Sequence, residues 1–315
     1  MNNFKKIGLS ALAGSLAAVS VQAADLSVTG GASIGFAGEE EQATGNGWSM
    51  NDGVTFAASE EMDNGWTVSL NFLLDSSDSA ASAGLDNRSL TIDMGDNGVF
   101  TFSGDGGDGV LSRIDDVTPT AYEESWDLVT GADIAPSGPN SNNMMHYSNS
   151  SLMDGVTLSA AYIPSDGSTK LESSSDYGVK YTGIDGLTVG VAGGEDNTVA
   201  ASLDITNLYA TYASEMGVTV GFQATESDSE TASADKDFSA MGISYAVSED
   251  LSVSLNTSTI DFEDGTLTDQ ESTGLSLSYT MGSMTLSAAH NTVDNVAGTA
   301  ANDRSGYDLG LAFAF

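Results

Sequence analysis

The sequence predicts an all-β protein, a 16-stranded antiparallel transmembrane β-barrel. Three observations support this prediction. Runs of alternating apolar and small polar residues follow one another after Ala24, as in strands with one apolar face. Seven short turns rich in Gly, Asp and Asn alternate with eight longer acidic loops, which delimits sixteen strands. Tyrosines recur on the apolar face just before the short turns.

The N-terminus has the pattern of a secretory signal peptide. Two lysines precede the apolar stretch Ile7–Val21, and small residues end it at Ala23. The stretch is too short for a membrane-spanning helix, which needs about 20 apolar residues. We therefore expect residues 1–23 to be cleaved and residues 24–315 to form one exported domain.

The composition excludes several function classes. The chain has no cysteine, so it can contain neither a disulfide framework nor a thiol catalyst. It carries 8 Lys and Arg against 45 Asp and Glu, a net charge of −37. Nucleic acid is excluded as a partner because its phosphates are bound by Lys and Arg. High acidity also favours disorder, but 40% hydrophobic residues and sustained alternation favour a folded β-protein.

The first and last strands are expected to close the barrel. The segment YDLGLAFAF, from Tyr307 to Phe315, places aromatic and leucine side chains on one face and small residues with Asp308 on the other. Asp25–Ala37 alternates in the same way. A strand edge in hydrocarbon would leave backbone groups unpaired, so these two strands must pair. A soluble sandwich would instead bury the apolar face against a second sheet.

Five tyrosines distinguish the barrel from the sandwich. They share one face and one level, with spacings between 31 and 34 residues. This period is also that of helical tetratricopeptide repeats, but the local period of 2 excludes helices. Amphipathic aromatics at one level are typical of a girdle at a membrane interface. The predicted girdle consists of Tyr147, Tyr181, Tyr212, Tyr245 and Tyr279.

The third long loop is the exception in this regular pattern. The alternation stops over residues 104–143, which hold three of the four prolines and eight acids against one base, Arg113. Insertions this long tend to be functional or disordered. A barrel of this size is wide enough for water, so loop acids in its mouth would attract cations. The acids expected at the constriction are Asp105, Asp108, Asp115, Asp116, Glu123, Glu124 and Asp127, with Asp133 the eighth in the loop.

From residue 24 to 315 the chain resembles the general diffusion porins of Gram-negative outer membranes, nearer to the alphaproteobacterial type. The resemblance rests on the strand count, the terminal Phe315, the overlong third loop with its acidic run Asp115–Asp127, and the segment Asn143–Tyr147, which is similar to a family N-x-I-R-Y pattern. It implies a homotrimer in outer-membrane lipid, each barrel narrowed by an inward-folded third loop. It also implies that the barrel-assembly machinery recognises Phe315 as the terminal aromatic residue.

The sequence departs from the family in its basic residues. Relatives usually carry several arginines on the wall opposite the loop, and His146 stands where one of them would fall. Strand parity places Lys180 and Arg304 in the lumen, so these two and His146 are the bases expected on the opposing wall. Arg88 shares parity with apolar neighbours and is expected near a rim or a subunit contact.

Other chemistry is weakly indicated. Residues 104–109 resemble one calcium-binding nonapeptide unit, but such sites need stacked copies. We expect no required cofactor, although carboxylates of the acidic loops could hold Ca²⁺ or Mg²⁺. The two histidines, His146 and His290, lie in no catalytic motif, so we expect no enzyme activity.

The expected function is a water-filled, cation-preferring channel for passive diffusion of ions and small hydrophilic solutes. Three alternatives stay open at this point. A substrate-selective channel of the same fold would show saturable transport. An outer-membrane hydrolase would carry a serine that reacts with covalent probes. A plugged barrel acting in adhesion or structure would conduct no ions.

Overall fold

The computed structural model describes most of the chain, namely residues 25–40, 47–75, 85–165, 167, 172–199, 201–231 and 234–315. The predicted signal peptide lies outside these residues. Among the described residues, no helix is long and apolar enough to cross a membrane.

Sixteen strands form one closed antiparallel barrel, which confirms the predicted fold class. Each strand pairs with its neighbours in chain order. The barrel strands are β1 (Asp25–Glu39), β2 (Trp48–Glu61), β3 (Thr67–Asp75), β4 (Leu85–Asp93), β5 (Val99–Asp105), β8 (Met144–Met153), β9 (Val156–Ile163), β10 (Ser174–Ile184), β11 (Leu187–Asp196), β12 (Leu203–Ala213), β13 (Val218–Ser229), β14 (Lys236–Ala246), β15 (Leu251–Phe262), β16 (Gln270–Met281), β17 (Met284–Asp294) and β18 (Arg304–Ala314).

The remaining elements are short. Two-residue strands β6 (Gly107–Asp108) and β7 (Asn140–Ser141) pair with each other at the base of the third loop. Single 3-10 turns lie at Gly95–Asn97, Leu111–Arg113 and Val296–Gly298. The third loop therefore leaves the barrel after β5, returns at β8, and is pinched at its base by β6 and β7.

The first and last strands close the barrel. β1 pairs with β18 from Gly31 opposite Ala314 to Glu39 opposite Gly306. Beyond β18, the Phe315 amide donates to the Gly30 carbonyl at 2.9 Å, and the Gly30 amide donates to the Phe315 carbonyl at 2.7 Å. The terminal residue thus completes the ladder, while its side chain is 75% exposed.

Deleting Phe315 should mainly lower the yield of assembled protein. The deletion removes both hydrogen bonds to Gly30 and the exposed terminal aromatic, but it leaves the lumen unchanged. We therefore expect fewer folded barrels, as measured by heat-modifiable mobility of membrane extracts, with unchanged single-channel conductance. A normal yield of assembled protein from the shortened chain would contradict this prediction.

Alternation separates a lipid face from a lumen face, as the barrel requires. The five predicted girdle tyrosines all lie on the outer face, where they are between 37% and 48% exposed. Sequence analysis missed a second aromatic group toward the other end of the strands. There Phe36 lies 5.0 Å from Trp48 and 6.1 Å from Tyr307, measured between ring centroids.

The buried apolar core lies inside the lumen, between the third loop and the barrel wall. Val110 and Leu111 of the loop pack in one cluster with Met144 and wall residues of β9, β11 and β12. Trp126 and Ala135 pack against β14 and β15, with the Trp126 ring edge-on to Phe238 at 5.2 Å. Val129 forms a third, smaller cluster with the β17 side. The loop thus folds inward because its apolar residues have a matching patch on the wall.

Candidate functional site

The third loop runs along the inner wall and contacts almost every strand from β10 to β18 in turn. Its backbone and side chains contact lumen-facing residues on successive strands. The strand register brings these residues to similar positions along the barrel. The contacts in chain order are Leu111 with Asp176 of β10, Ile114 with Asn207 of β12, Val117 with Gln223 of β13, Pro119 with Gly242 of β14, Ala121 with Ser254 of β15, Tyr122 with Ser276 of β16, Glu124 with Asn291 of β17 and Thr130 with Arg304 of β18. The hydrogen bonds in this series contribute about 1 kcal/mol each. Together they fix the loop in one path along the wall.

Glycines on the wall allow the loop to lie this close. A Cβ atom at Gly242 would be 2.8 Å from the Pro119 carbonyl oxygen, and one at Gly274 would be 2.8 Å from the Cα of Ser125. A Cβ atom at Gly306 would collide with the Leu128 carbonyl. The loop therefore packs against the lumen face of these strands, where the side chains are small and polar.

Asp176 anchors the beginning of the loop. Its side chain is 1% exposed, and its Oδ2 atom accepts a hydrogen bond of 2.8 Å from the Leu111 amide. A buried carboxylate that accepts backbone amides fixes the direction of the chain at that point. Asp176 therefore determines where the loop leaves its base and meets the wall.

The returning arm of the loop is held by polar contacts with β14 and β16. Lys236 Nζ lies 3.0 Å from Asp133 Oδ1 in an ion pair. The Gln270 side chain accepts from the Asp133 amide and donates to its carbonyl, both at 2.9 Å. Asp133, the eighth acid of the loop, therefore helps to position the loop and does not belong to the acidic cluster described next.

Five of the predicted constriction acids come together on the loop. Glu123, Glu124 and Asp127 have carboxylate oxygens within 4.8 Å of one another, an arrangement that could hold a metal ion. The charge of Asp116 acts on Glu124, and Asp115 in turn is coupled to Asp116. We call these five residues the loop cluster.

A wall carboxylate extends the loop cluster. The Tyr122 hydroxyl donates to Asp308 Oδ1 at 2.8 Å, and the charge of Asp308 also acts on Glu123. Sequence analysis placed Asp308 opposite the apolar face of the last strand but did not select it. Strand parity alone could have found it.

Burial changes the charge state of the loop cluster. Burial raises the pKa of Asp115 to about 7, and the neighbouring carboxylates of Asp116 and Asp108 add to the effect. The pKa of Glu124 is raised by burial and by Asp127. Burial also raises the pKa values of Asp116 and Glu123. The cluster therefore carries less negative charge near neutral pH than its five carboxyl groups would suggest.

Asp105 is not a constriction residue, which corrects the prediction for that position. A bulge between Arg88 and Ser89 shifts the register, so that Asp105 pairs with Arg88 while Ser103 pairs with Ser89. The extra residue turns Asp105 to the outer face, where its Oδ2 atom lies 2.7 Å from Arg88 Nε. Arg88 therefore lies on the outer face, as its parity predicted.

Asp108 lies near the loop cluster without joining its closest group. It is the exposed residue of strand β6, and its carbonyl oxygen accepts a hydrogen bond of 3.1 Å from Arg113 Nε. Its charge acts on Asp115.

The three predicted bases do not face the loop across the lumen, which corrects that part of the interpretation. His146 and Lys180 line one cavity together with the first residues of the loop. Arg304 donates to the Thr130 carbonyl at 2.9 Å, at the far end of the loop. The reason is the path of the loop, which lies against the strands that carry these bases.

The open part of the lumen lies along β1–β3. A cavity of about 440 Å³ there is lined by lumen-facing residues that include Ser33, Asn51 and Asp75. The loop reaches β1 where the Thr130 amide donates to Glu39 Oε1 at 2.9 Å. An aqueous path would therefore run between the loop cluster and this polar wall.

Comparison with known proteins agrees with this architecture. A family model described as Gram-negative porin matches residues 8–265. No curated protein matches the chain.

Several solved structures share the fold. An anion-selective porin from Comamonas acidovorans has a TM-score of 0.71 and 13% identity, covering 93% of this chain and 100% of that chain. The trimer form of OmpT, an outer membrane protein of Vibrio cholerae, has a TM-score of 0.70 and 12% identity over 93% and 100% of the two chains. A mutant of the Rh. blastica porin has a TM-score of 0.66 and 15% identity over 92% and 100%. At sequence identities this low, the similarity to these structures shows the fold alone. On the family match and the closed barrel, the chain belongs to the Gram-negative porin family and is an outer-membrane porin.

Proposed function

We propose that this porin is a water-filled, cation-preferring channel for the passive diffusion of ions and small hydrophilic solutes. The observation that carries the proposal is the loop cluster, five carboxyl groups gathered inside a closed barrel and joined by Asp308. Rings of carboxylates in a pore attract cations. The anion selectivity named for the Comamonas porin belongs to that protein.

The magnitude of the effect supports a preference at low salt. Two unit charges about 4 Å apart interact by about 1 kcal/mol in bulk water and by about 4 kcal/mol at an effective dielectric constant near 20. The attraction between a single ionised carboxylate in a constriction and a passing cation is therefore larger than the thermal energy, which is about 0.6 kcal/mol. In about 1 M salt the Debye length falls to about 3 Å, so most of the preference should vanish.

Cation preference should increase as the pH rises from 5 to 9. A raised pKa keeps a carboxyl group neutral at lower pH, and Asp115 ionises as the pH passes about 7. Reversal potentials in a KCl gradient measure this change. The same series in His146→Gln, which removes the imidazole from the lumen, is the control. A preference that is constant between pH 5 and pH 9 would contradict the prediction.

We also propose that Ca²⁺ or Mg²⁺ binds transiently to carboxylates of the loop cluster as it passes through the channel. Glu123, Glu124 and Asp127 offer hard oxygen ligands, which both ions prefer. We assign no structural role to this ion, since hydrogen bonds to the wall already hold the loop.

We further propose that the protein is a homotrimer and acts as a channel rather than as an enzyme. The trimer form of the Vibrio OmpT structure supports the assembly state. The Arg88–Asp105 ion pair on the outer face of β4 and β5 would suit a subunit contact better than lipid. His290 lies on β17 at a position that register places on the outer face, and His146 lies in the lumen.

Planar-bilayer recording together with liposome swelling tests the proposal. We expect stable conductance steps that grow linearly with KCl concentration, and swelling rates that fall smoothly with the size of neutral sugars. Transport that saturates at low solute concentration would favour a substrate-selective channel. The absence of conductance would favour a plugged barrel, and labelling by a serine-directed probe would favour a hydrolase.

A further inference from the structure

A side cavity in the lumen gathers basic side chains in this strongly acidic chain. The cavity has a volume of about 290 Å³ and lies between the beginning of the third loop and the wall of β8–β12. It is lined by Arg113 of the loop, His146 of β8 and Lys180 of β10. We call it the basic alcove. Lys180 lies near the short-turn end of its strand, so the alcove lies on the side of the loop that faces the short turns.

The charge of Arg113 acts on the buried carboxyl group of Asp176, but the described residues place no carboxylate in an ion pair with either charged base of the alcove. Arg88 and Lys236 are paired with Asp105 and Asp133 at 2.7 and 3.0 Å. Among the residues that the structure describes, neither Arg113 nor Lys180 forms an ion pair. The Arg113 Nε atom donates to a backbone carbonyl, which holds the guanidinium in place without cancelling its charge.

The rest of the lining suits a small organic anion. Hydroxyl groups of Ser148, Ser159 and Tyr209 border the alcove and can donate to a carboxylate or exchange hydrogen bonds with solute hydroxyls. The Nε2 atom of His146 has no hydrogen-bond partner in the described part of the chain. Val110 and Ile114 supply an apolar side. Such a mixture of apolar walls and a few convergent polar groups is typical of ligand pockets.

We propose that the basic alcove is a binding site for small hydroxylated carboxylates, which pause there while crossing the channel. Arg113 and Lys180 hold the carboxylate, and the wall hydroxyls contact the polyol part. This inference rests on the proposed function, because a solute must enter the lumen to reach the alcove. It adds a site for anions to a channel whose loop cluster attracts cations.

Block of single-channel current by D-gluconate tests this proposal, with sorbitol as the uncharged solute of similar size. We expect gluconate to reduce the current of the wild-type channel at concentrations at least tenfold below those at which sorbitol does. Arg113→Gln and Lys180→Gln should each weaken the gluconate effect about tenfold, since a charge-assisted hydrogen bond is lost. Their sorbitol response should not change. Arg88→Gln removes a positive charge from the outer face, and the channels that this variant forms should respond like the wild type.

Several outcomes would overturn the proposal. Equal block by gluconate and sorbitol in a conducting wild-type channel would overturn the anion site and leave the proposed channel function intact. Gluconate block that is unchanged in both Arg113→Gln and Lys180→Gln would do the same. A wild-type protein without conductance would overturn the proposed function and the alcove with it.

Discussion

Replacing Asp115, Asp116, Glu123 and Glu124 together by Asn and Gln should remove most of the cation preference of the channel. The four side chains belong to the loop cluster, and the amides keep their size while removing their charge. At about 0.1 M KCl and pH 9, where the wild-type cluster is most ionised, the reversal potential should fall close to that of a non-selective pore. Conductance in about 1 M KCl should change little, because salt already screens the cluster.

A matched variant separates local charge from net charge. Asp204, Asp237, Glu195 and Glu226 are exposed, and register places them on the outer face. Replacing these four by Asn and Gln removes the same number of carboxylates from outside the lumen. We expect this control to keep the wild-type reversal potential. If the loop variant kept it as well, the loop cluster would not determine selectivity.

Replacing Asp176 by Ala should release the beginning of the third loop while the barrel stays folded. The substitution removes the acceptor of the buried Leu111 amide, and such an unsatisfied group costs about 1–3 kcal/mol. Since 1.4 kcal/mol is tenfold in an equilibrium, loop opening should increase about ten- to hundredfold. We expect larger current fluctuations and faster proteolysis within residues 106–139, with an unchanged β-type circular dichroism spectrum.

Asp176→Asn is the control, because its side-chain oxygen can still accept from Leu111. It should behave much more like the wild type than Asp176→Ala does. Quiet channels and a protected loop in Asp176→Ala would show that the remaining wall contacts suffice and that Asp176 is not the anchor.

The barrel could be predicted from the sequence because lipid imposes a simple rule on every strand. One face must be apolar and the last strand must find the first, so the alternation around Tyr279 and Phe315 indicated the strands, their number and the closure. The long third loop was equally visible. Its inward path followed from the family resemblance, and the structure adds the physical reason, which is an apolar patch on the wall.

The site was predictable only in part, because it depends on contacts between distant strands. The partners of the loop, such as Ser254, Ser276 and Asn291, are ordinary small polar residues whose role appears only when register aligns them. Asp105 was misplaced since a one-residue bulge reverses the face of a side chain. The basic residues were expected opposite the loop, but the loop lies against their own wall.

Charge state also escaped prediction from composition. Counting carboxylates gives a strongly negative constriction, but burial on the wall raises the pKa values of Asp115, Asp116, Glu123 and Glu124. Burial of this kind results from packing and leaves no local sequence pattern. The selectivity proposed here is accordingly one that depends on pH.

The reversal potential of the wild-type channel in a tenfold KCl gradient, at low salt and pH 9, tests the central claim most directly. At that pH Asp115 is ionised, so a cluster that governs passage must favour potassium over chloride. The account predicts a reversal potential of the sign expected for cation preference, which moves toward zero at pH 5 and in high salt. A potential near zero, or one of the sign expected for chloride preference, at pH 9 would contradict it.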